Sequence, residues 1–335
     1  MQTHIHIGLH KTGSTYIQKT FASNRDALKA QGIDYPAVGA EYLSGHHNVA
    51  WSFIPKKAPV VTKGFSLDAL TAYLSQSNAE HCILSSEDFE FLTHSQASAL
   101  RDLLADFSPK IVMYVRDPAE AVYSRWQEAV KHGSTTTLTA YCQQLLKNSN
   151  PLDYCKVADR WADVFGKSAV SIVVYDRLVA EEKDIALYFL TEILKFPIVP
   201  EQLAMLPGKV NPSSSVGVVE VLRQLNQVRQ LHDHSHELTQ PFMRFMRSHP
   251  QGQSLSQYLH AWQSNTAGQV DLVDLTRRFK RISEKFLLYH RPQTVNVGAD
   301  ESLFAQQKTI SIPVVDSEDL AKKINIKGLY KALVA

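Results

Sequence analysis

Residues 3–20 read Thr-His-Ile-His-Ile-Gly-Leu-His-Lys-Thr-Gly-Ser-Thr-Tyr-Ile-Gln-Lys-Thr. A short apolar strand, His4–Gly8, runs into the turn Lys11-Thr12-Gly13-Ser14-Thr15 and then into a helical pattern. A strand–turn–helix unit of this kind is built to hold an anion. The first turn of a helix presents N–H groups with no intrahelical partner, at the positive end of the helix dipole. Lys11 adds a full charge, and Ser14 and Thr15 add hydroxyl donors. Gly13 lets the backbone approach a ligand closely. The ligand class this predicts is a phosphate or a sulfate group; the bland alternative is a helix start with no ligand.

The phosphate loop of nucleoside triphosphatases has the order Gly-x-x-x-x-Gly-Lys-Ser/Thr. Gly8 and Gly13 stand at that spacing, but Ser14 follows Gly13 and the lysine comes early, at position 11. The lysine's place argues against a triphosphatase.

Further strand-like runs follow at His81–Ser85, Lys110–Val115 and Ala169–Tyr175. Helical patterns near Leu67–Ser75, Gln96–Phe107 and Asp153–Phe165 precede them. Short apolar runs alternating with helices predict an α/β fold with a parallel sheet covered by helices on both faces. In such sheets ligands bind beyond the carboxyl ends of the strands. After Tyr175 the character changes. Asp184–Leu194 reads as a helix, and Pro197, Pro200, Pro207 and Pro212 interrupt the next stretch. Val216–Leu231 and Leu272–Phe286 carry apolar stripes at helical spacing. The expectation is an α/β core over 1–195 and a mainly helical part over 196–335 packed on it, with a long loop near 290–315.

The 335 residues are 44% apolar and 20% charged, ordinary for a globular protein, and the net charge of +2 gives no argument for nucleic acid. No apolar run approaches the ~18 residues of a membrane span. The chain as given opens on strand-like residues without a basic start and apolar run, so a cytoplasmic location is expected. Three widely spaced cysteines, Cys82, Cys142 and Cys155, fit reduced thiols.

The third strand ends in Tyr114-Val115-Arg116-Asp117-Pro118, with Ser124 eight residues after Arg116. Pro118 suits the first turn of a helix and Asp117 its cap. Arginine grips a phosphate with two parallel N–H bonds, and serine adds a hydroxyl. The order Lys-[Ser/Thr]-Gly-[Ser/Thr]-Thr at the first anchor and Arg-[Asn/Asp]-Pro with a serine eight residues on at the second resemble the two nucleotide motifs of the sulfotransferase family. Those enzymes use 3′-phosphoadenosine 5′-phosphosulfate (PAPS) and leave 3′-phosphoadenosine 5′-phosphate. The resemblance covers about residues 1–195 and implies a P-loop-like, three-layer fold. It implies that Lys11, Thr12, Gly13, Ser14, Thr15 and Tyr16 hold the 5′-phosphosulfate end. Arg116 and Ser124 would hold the 3′-phosphate. Tyr175, at the end of the fourth strand, looks like the family tyrosine near the adenine. The C-terminal Arg-Lys-Gly segment of the cytosolic small-molecule branch is absent. Asn211-Pro-Ser-Ser-Ser looks more like bacterial relatives, whose acceptors are often carbohydrates.

By this resemblance Lys11 stabilises the departing phosphate, and no metal is required. The acceptor hydroxyl or amine needs a base, which the family draws from Glu or His depending on branch. Glu87, following the second strand in Ile83-Leu84-Ser85-Ser86-Glu87, is a base, an acceptor-binding group or a helix cap. His46 and His47 are the other candidates. His10 stands where many relatives have proline. His232, His234 and His236 read as a solvated loop more readily than as metal ligands, since no carboxylate or cysteine frame accompanies them. Arg277, Arg278, Lys280, Arg281 and Lys285 read as a solvated helix face, with an anionic acceptor or membrane surface as the alternative. The competing functions are a nucleotide kinase with a variant phosphate loop and a non-catalytic nucleotide-binding protein on the same fold.

Overall fold

The computed structural model describes residues 1–40, 43–57, 60–147, 153–206, 214–231, 238–266, 268–271, 284–286, 289–297, 311–314 and 317–334. Packing divides the chain into two compact, discontinuous units. The first takes Met1–Asp117, Asp153–Asn211 and Ile282–Gln306; the second takes Pro118–Leu152, Pro212–Arg281 and Gln307–Ala335. The change of sequence character near 195 therefore does not coincide with the packing division. Pro118–Leu152, inside the expected core, belongs to the second unit.

In the first unit, β1 (Gln2–His6) is the centre of a five-stranded sheet with β2 (Ile33–Asp34), β3 (His81–Ser85), β4 (Lys110–Val115) and β5 (Val170–Val174). The order is β2-β3-β1-β4-β5 and every pairing is parallel. The near-continuous apolar runs of β4 and β5 are what a sheet buried on both faces requires. On one face Val112, Tyr114, Val173 and Ile83 meet Ile17 and Phe21 of α1 (Ser14–Ser23). The same cluster takes in Ala186 and Ile185 of α10 (Ile185–Tyr188), then Phe189 and Leu190 of the π-turn that continues it. On the other side of the sheet's alternation, Ile111, Met113 and Val115 are equally buried. Two helices, α5 (His94–Leu103) and α8 (Tyr154–Phe165), pack together, with α8 lying against β4 and β5. The buried residues of α8, Tyr154, Cys155, Ala158, Trp161 and Ala162, recur at helical spacing. A capping box between Thr93 and Gln96 starts α5 at His94, two residues before the sequence pattern placed it.

Other short helices of this unit are α2 (Arg25–Ala30), α3 (His47–Ser52), α4 (Leu67–Gln76) and α9 (Tyr175–Ala180). Two expected strand ends shift. β1 stops at His6 because Gly8 turns to φ +79°. Tyr175 opens α9 instead of closing β5. The stretch expected as a long loop near 290–315 contains a 3-10 turn, Arg291–Gln293, and a parallel bridge from Thr294 to Ile172 beside β5. Asn296 completes that attachment: its side chain accepts from the Val174 N–H (2.8 Å) and donates to the Val174 carbonyl (2.9 Å).

The second unit contains α6 (Pro118–Lys131), α7 (Leu138–Lys147), α11 (Val216–Leu231), α12 (Thr239–Ser248) and α13 (Pro250–Thr266). It also contains an antiparallel pair, β6 (Gly268–Asp271) with β7 (Ser311–Val314), then α14 (Ser317–Lys323) and α15 (Ile326–Val334). Helix α11 is buried well beyond its apolar stripe, including Glu220, Arg223, Gln224 and Asn226. Its polar residues are paired: Arg223 makes a bidentate contact to Glu220 (2.6 and 2.9 Å) and donates to the Thr135 carbonyl (2.8 Å). The histidines 232–236, the basic residues 277–281 and Leu272–Ile282 of the second stripe lie outside the described residues.

Candidate functional site

The connection after β1 leads toward β2 and that after β4 toward β5, on opposite sides of β1. A crevice at the strands' carboxyl ends is the consequence. The loop that fills it, Ile7–Gly13, is anchored by backbone bonds from Ile7 to Val112 (3.0 Å) and from Leu9 to Tyr114 (2.8 Å). Gly8, Lys11 and Gly13 all have positive φ, +79°, +70° and +83°. Gly13 ends the loop as the N-cap of α1, with no side-chain cap bond, so the helix start is presented through backbone N–H groups. A side chain at Gly13 has no room. A Cβ there would lie 2.4 Å from Ile185 Cδ1 and 3.1 Å from the Tyr175 ring.

Thr12 is buried and its hydroxyl donates to the Leu9 carbonyl (2.5 Å), closing the loop on itself. Ser14 is buried at the helix start, while Lys11 and Thr15 are half-buried. The Tyr16 hydroxyl donates to Asp184. Burial, with that bond to Asp184, pushes the Tyr16 phenol up to about 12. Asp184 also caps α10 through the N–H groups of Ala186 and Leu187 (both 2.9 Å). Tyr16 thus ties α1 to the element whose Ile185 covers Gly13.

Arg116, just beyond β4, sits with Nε 3.3 Å from Asp176 Oδ1 and with its guanidinium 5.6 Å from the centre of the Tyr175 ring. Asp176 also accepts from the Asp117 N–H. Tyr175 therefore touches the Gly13 turn and also stands beside Arg116, so one aromatic ring neighbours a residue of each sequence anchor. Burial raises the Tyr175 phenol above its ordinary value, against the opposing pull of Arg116. Ser124 is buried on α6 in the second unit.

A second group gathers on the 3-10 turn Glu87–Phe91 that follows β3. Glu87 backs onto the loop: a Cβ on Gly8 would lie 3.0 Å from Glu87 Cβ. Its carboxylate accepts from Gln18 Nε2 of α1 (2.8 Å). His47, nearly fully buried, has Nδ1 2.9 Å from Ser86 Oγ and 3.4 Å from Asp88 Oδ2. Its ring stacks on Trp51, whose indole N–H donates to the same Asp88 oxygen (2.6 Å). Burial alone would raise the Asp88 carboxyl, but the bonds from His47 and Trp51 outweigh it and hold the group low. On its other side His47 faces Gly45, where a Cβ would come 2.7 Å from His47 Nε2 and 2.8 Å from the Gln18 amide carbon.

His46 is placed differently. Its Nδ1 accepts from the Ser85 N–H (3.1 Å), so Nε2 carries the proton and donates to the Pro36 carbonyl (3.0 Å). Burial pushes its pKa down to about 3. Both ring nitrogens are committed to backbone, a clamp between β3 and the chain after β2. Among the described residues, no group of three or more His, Cys, Asp or Glu is arranged to hold a metal ion. No described helix is long and apolar enough to cross a membrane.

Sequence reasoning did not single out Gln18, Asp88, Glu90 or Asp176. A signal for all four was present: Gln18 stands one turn after Ser14 on α1, Asp176 adjoins Tyr175, and Asp88 and Glu90 belong to the dense acidic run Glu87-Asp88-Phe89-Glu90.

Residues 3–203 match the family model described as a sulfotransferase domain. A comparison with curated proteins gives no match. Among solved structures, the crystal structure of a sulfotransferase from Alicyclobacillus acidocaldarius is similar with a TM-score of 0.43 and 16% identity, over 62% of this chain and 87% of that one. The matched span takes in the strands of the parallel sheet, with Gly13 and Arg116 in the segments that follow β1 and β4. The chain belongs to the sulfotransferase family, and its chemistry is sulfuryl transfer.

Proposed function

We propose that the protein transfers the sulfuryl group of PAPS to a hydroxyl or amine of a carbohydrate or glycoconjugate acceptor. The observation that carries this reading is the convergence of Gly13, Tyr175 and Arg116. An uncapped helix start with Lys11 beside it suits the 5′-phosphosulfate, and an arginine pre-set by Asp176 suits the 3′-phosphate that distinguishes this nucleotide from ATP. Gly13 fits the turn because Ile185 and Tyr175 pack where a side chain would stand, while the start of α1 carries no side-chain cap bond. Ser124 enters the reading through the motif alone, eight residues after Arg116.

The reaction forms a bond from sulfur to the acceptor oxygen and breaks the bond from sulfur to the phosphate oxygen. Negative charge develops on the departing phosphate, where Lys11 and the N-terminal N–H groups of α1 stabilise it. Glu87 takes the acceptor proton. It sits against Gly8 at the loop, the residue is half-buried, and Gln18 bonds its carboxylate. The arrangement of His47 against Asp88 favours a second reading, with His47 as the base and Asp88 its orienting carboxylate. His47 Nε2, however, is turned into Gly45. His46 has no free nitrogen for the task.

The test is transfer of radiolabelled sulfate from PAPS to a panel of carbohydrate acceptors by wild type, Glu87→Gln and His47→Gln. Glu87→Gln is expected to lose about 10²–10⁴-fold in kcat, and His47→Gln much less. The reverse order assigns the base to His47. Nucleotide binding without transfer to any acceptor favours a non-catalytic role, and phosphoryl transfer from ATP favours the kinase.

A further inference from the structure

Lys11 is a non-glycine residue held at φ +70°. A left-handed conformation costs about 1–3 kcal/mol and persists only where the surroundings over-determine it. Its neighbours show what does so. On the C-terminal side Thr12 bonds back to Leu9 and Gly13 is packed under Ile185 and Tyr175. On the N-terminal side the His10 N–H donates to Glu90 Oε2 (3.0 Å), and His10 Nδ1 lies 3.0 Å from Glu90 Oε1. Glu90 is 6% exposed, and its own backbone carbonyl is held by Arg160 Nη2 (2.8 Å). The His10 ring also packs against Phe91, with Nε2 4.0 Å from Asp88. One short turn after β3 thus bonds a different element with each carboxylate: Glu87 holds α1, Asp88 holds α3 and Glu90 holds the loop itself.

We propose that Glu90 is a positioning residue for sulfuryl transfer: through the backbone of His10 it holds Lys11 in the conformation that receives the departing phosphate. The proposal rests on the PAPS reading. A proline at position 10 would have no N–H to offer, so this clamp depends on the backbone N–H of His10.

The experiment compares the affinities of two probes by calorimetry, 3′-phosphoadenosine 5′-phosphate and adenosine 3′-phosphate. Their ratio reports what the loop contributes to holding the 5′-phosphate. Wild type is expected to prefer the bisphosphate. Glu90→Ala removes the acceptor, and Glu90→Asp draws it back by one methylene with the charge kept. Both are expected to lose about tenfold or more of that preference, with adenosine 3′-phosphate affinity unchanged. Glu90→Gln keeps an acceptor in place and is expected to retain the preference. Should Glu90→Ala fail to fold, Glu90→Asp and Glu90→Gln carry the comparison. An unchanged ratio in Glu90→Asp, or equal weakening of both probes, overturns the proposal. A wild type with no preference for the bisphosphate overturns the PAPS reading, and this inference with it.

Discussion

Acidification from pH 7.5 to pH 5 is expected to cost the fold about 6 kcal/mol. The reason is three buried histidines that the sheet holds neutral. His4 and His6 lie on β1, and His46 clamps β3. Burial is the leading cause that lowers all three to about 3 from an ordinary 6.5. His6 is the clearest case: Nδ1 meets Ser85 Oγ (2.8 Å), the ring packs edge-on to Tyr114 and Phe189, and Nε2 is buried with no hydrogen-bond partner among the described residues. Between pH 6.5 and 3 the unfolded chain binds protons that the folded chain refuses. Stability is therefore full above pH 6.5 and falls as pH falls through that window. At pH 5 the solution is about 1.5 units below each histidine's unfolded pKa, worth about 2 kcal/mol apiece. The sum is comparable to the whole stability of a typical domain, about 5–15 kcal/mol. Urea unfolding followed by tryptophan fluorescence from pH 7.5 to 5 reads this directly. Near pH 5 the slope should approach about 4 kcal/mol per pH unit, and His6→Gln should lower it by about 1.4. Stability that is flat across the range, or a His6→Gln slope equal to wild type, would refute the reasoning.

Other perturbations follow from the site. Gly13→Ala places a Cβ against Ile185 at φ +83° and should cost about 1–3 kcal/mol; it should also abolish bisphosphate binding, and a variant that melts and binds like wild type contradicts the packing described. Arg116→Lys loses the planar fork and should weaken 3′-phosphoadenosine 5′-phosphate about tenfold while leaving adenosine 5′-phosphate unchanged; equal loss for both denies it the 3′-phosphate. Lys11→Ala is expected to abolish sulfate transfer with an unchanged melting temperature, and a variant retaining most of its turnover removes Lys11 from the leaving-group role.

The parallel sheet was legible because β3, β4 and β5 are apolar at most positions, and because Gly8, Gly13 and Pro118 punctuate the strand–helix junctions. β2 was not legible: two residues, Ile33 and Asp34, are too short to show a period, and their place is set by pairing with β3. The return of 294–296 to β5 was invisible for the same reason, since one bridge and one asparagine side chain hold it. In the candidate site, Lys11 and Arg116 could be read from motif and spacing, but their supports could not. Asp176, Glu90 and Gln18 act through contacts between residues 60, 80 and 69 positions apart. The same limit applies to the three base candidates. His46 and His47 are neighbours of one type, yet backbone carbonyl and amide groups claim both nitrogens of the first, while a serine and an aspartate hold the second.

The most direct measurement is calorimetric titration of the full chain with 3′-phosphoadenosine 5′-phosphate and, separately, with ATP and magnesium. The account predicts a single bisphosphate site that Lys11→Ala and Arg116→Ala each weaken, with ATP binding far more weakly. Binding of magnesium-ATP with no binding of the bisphosphate would contradict it.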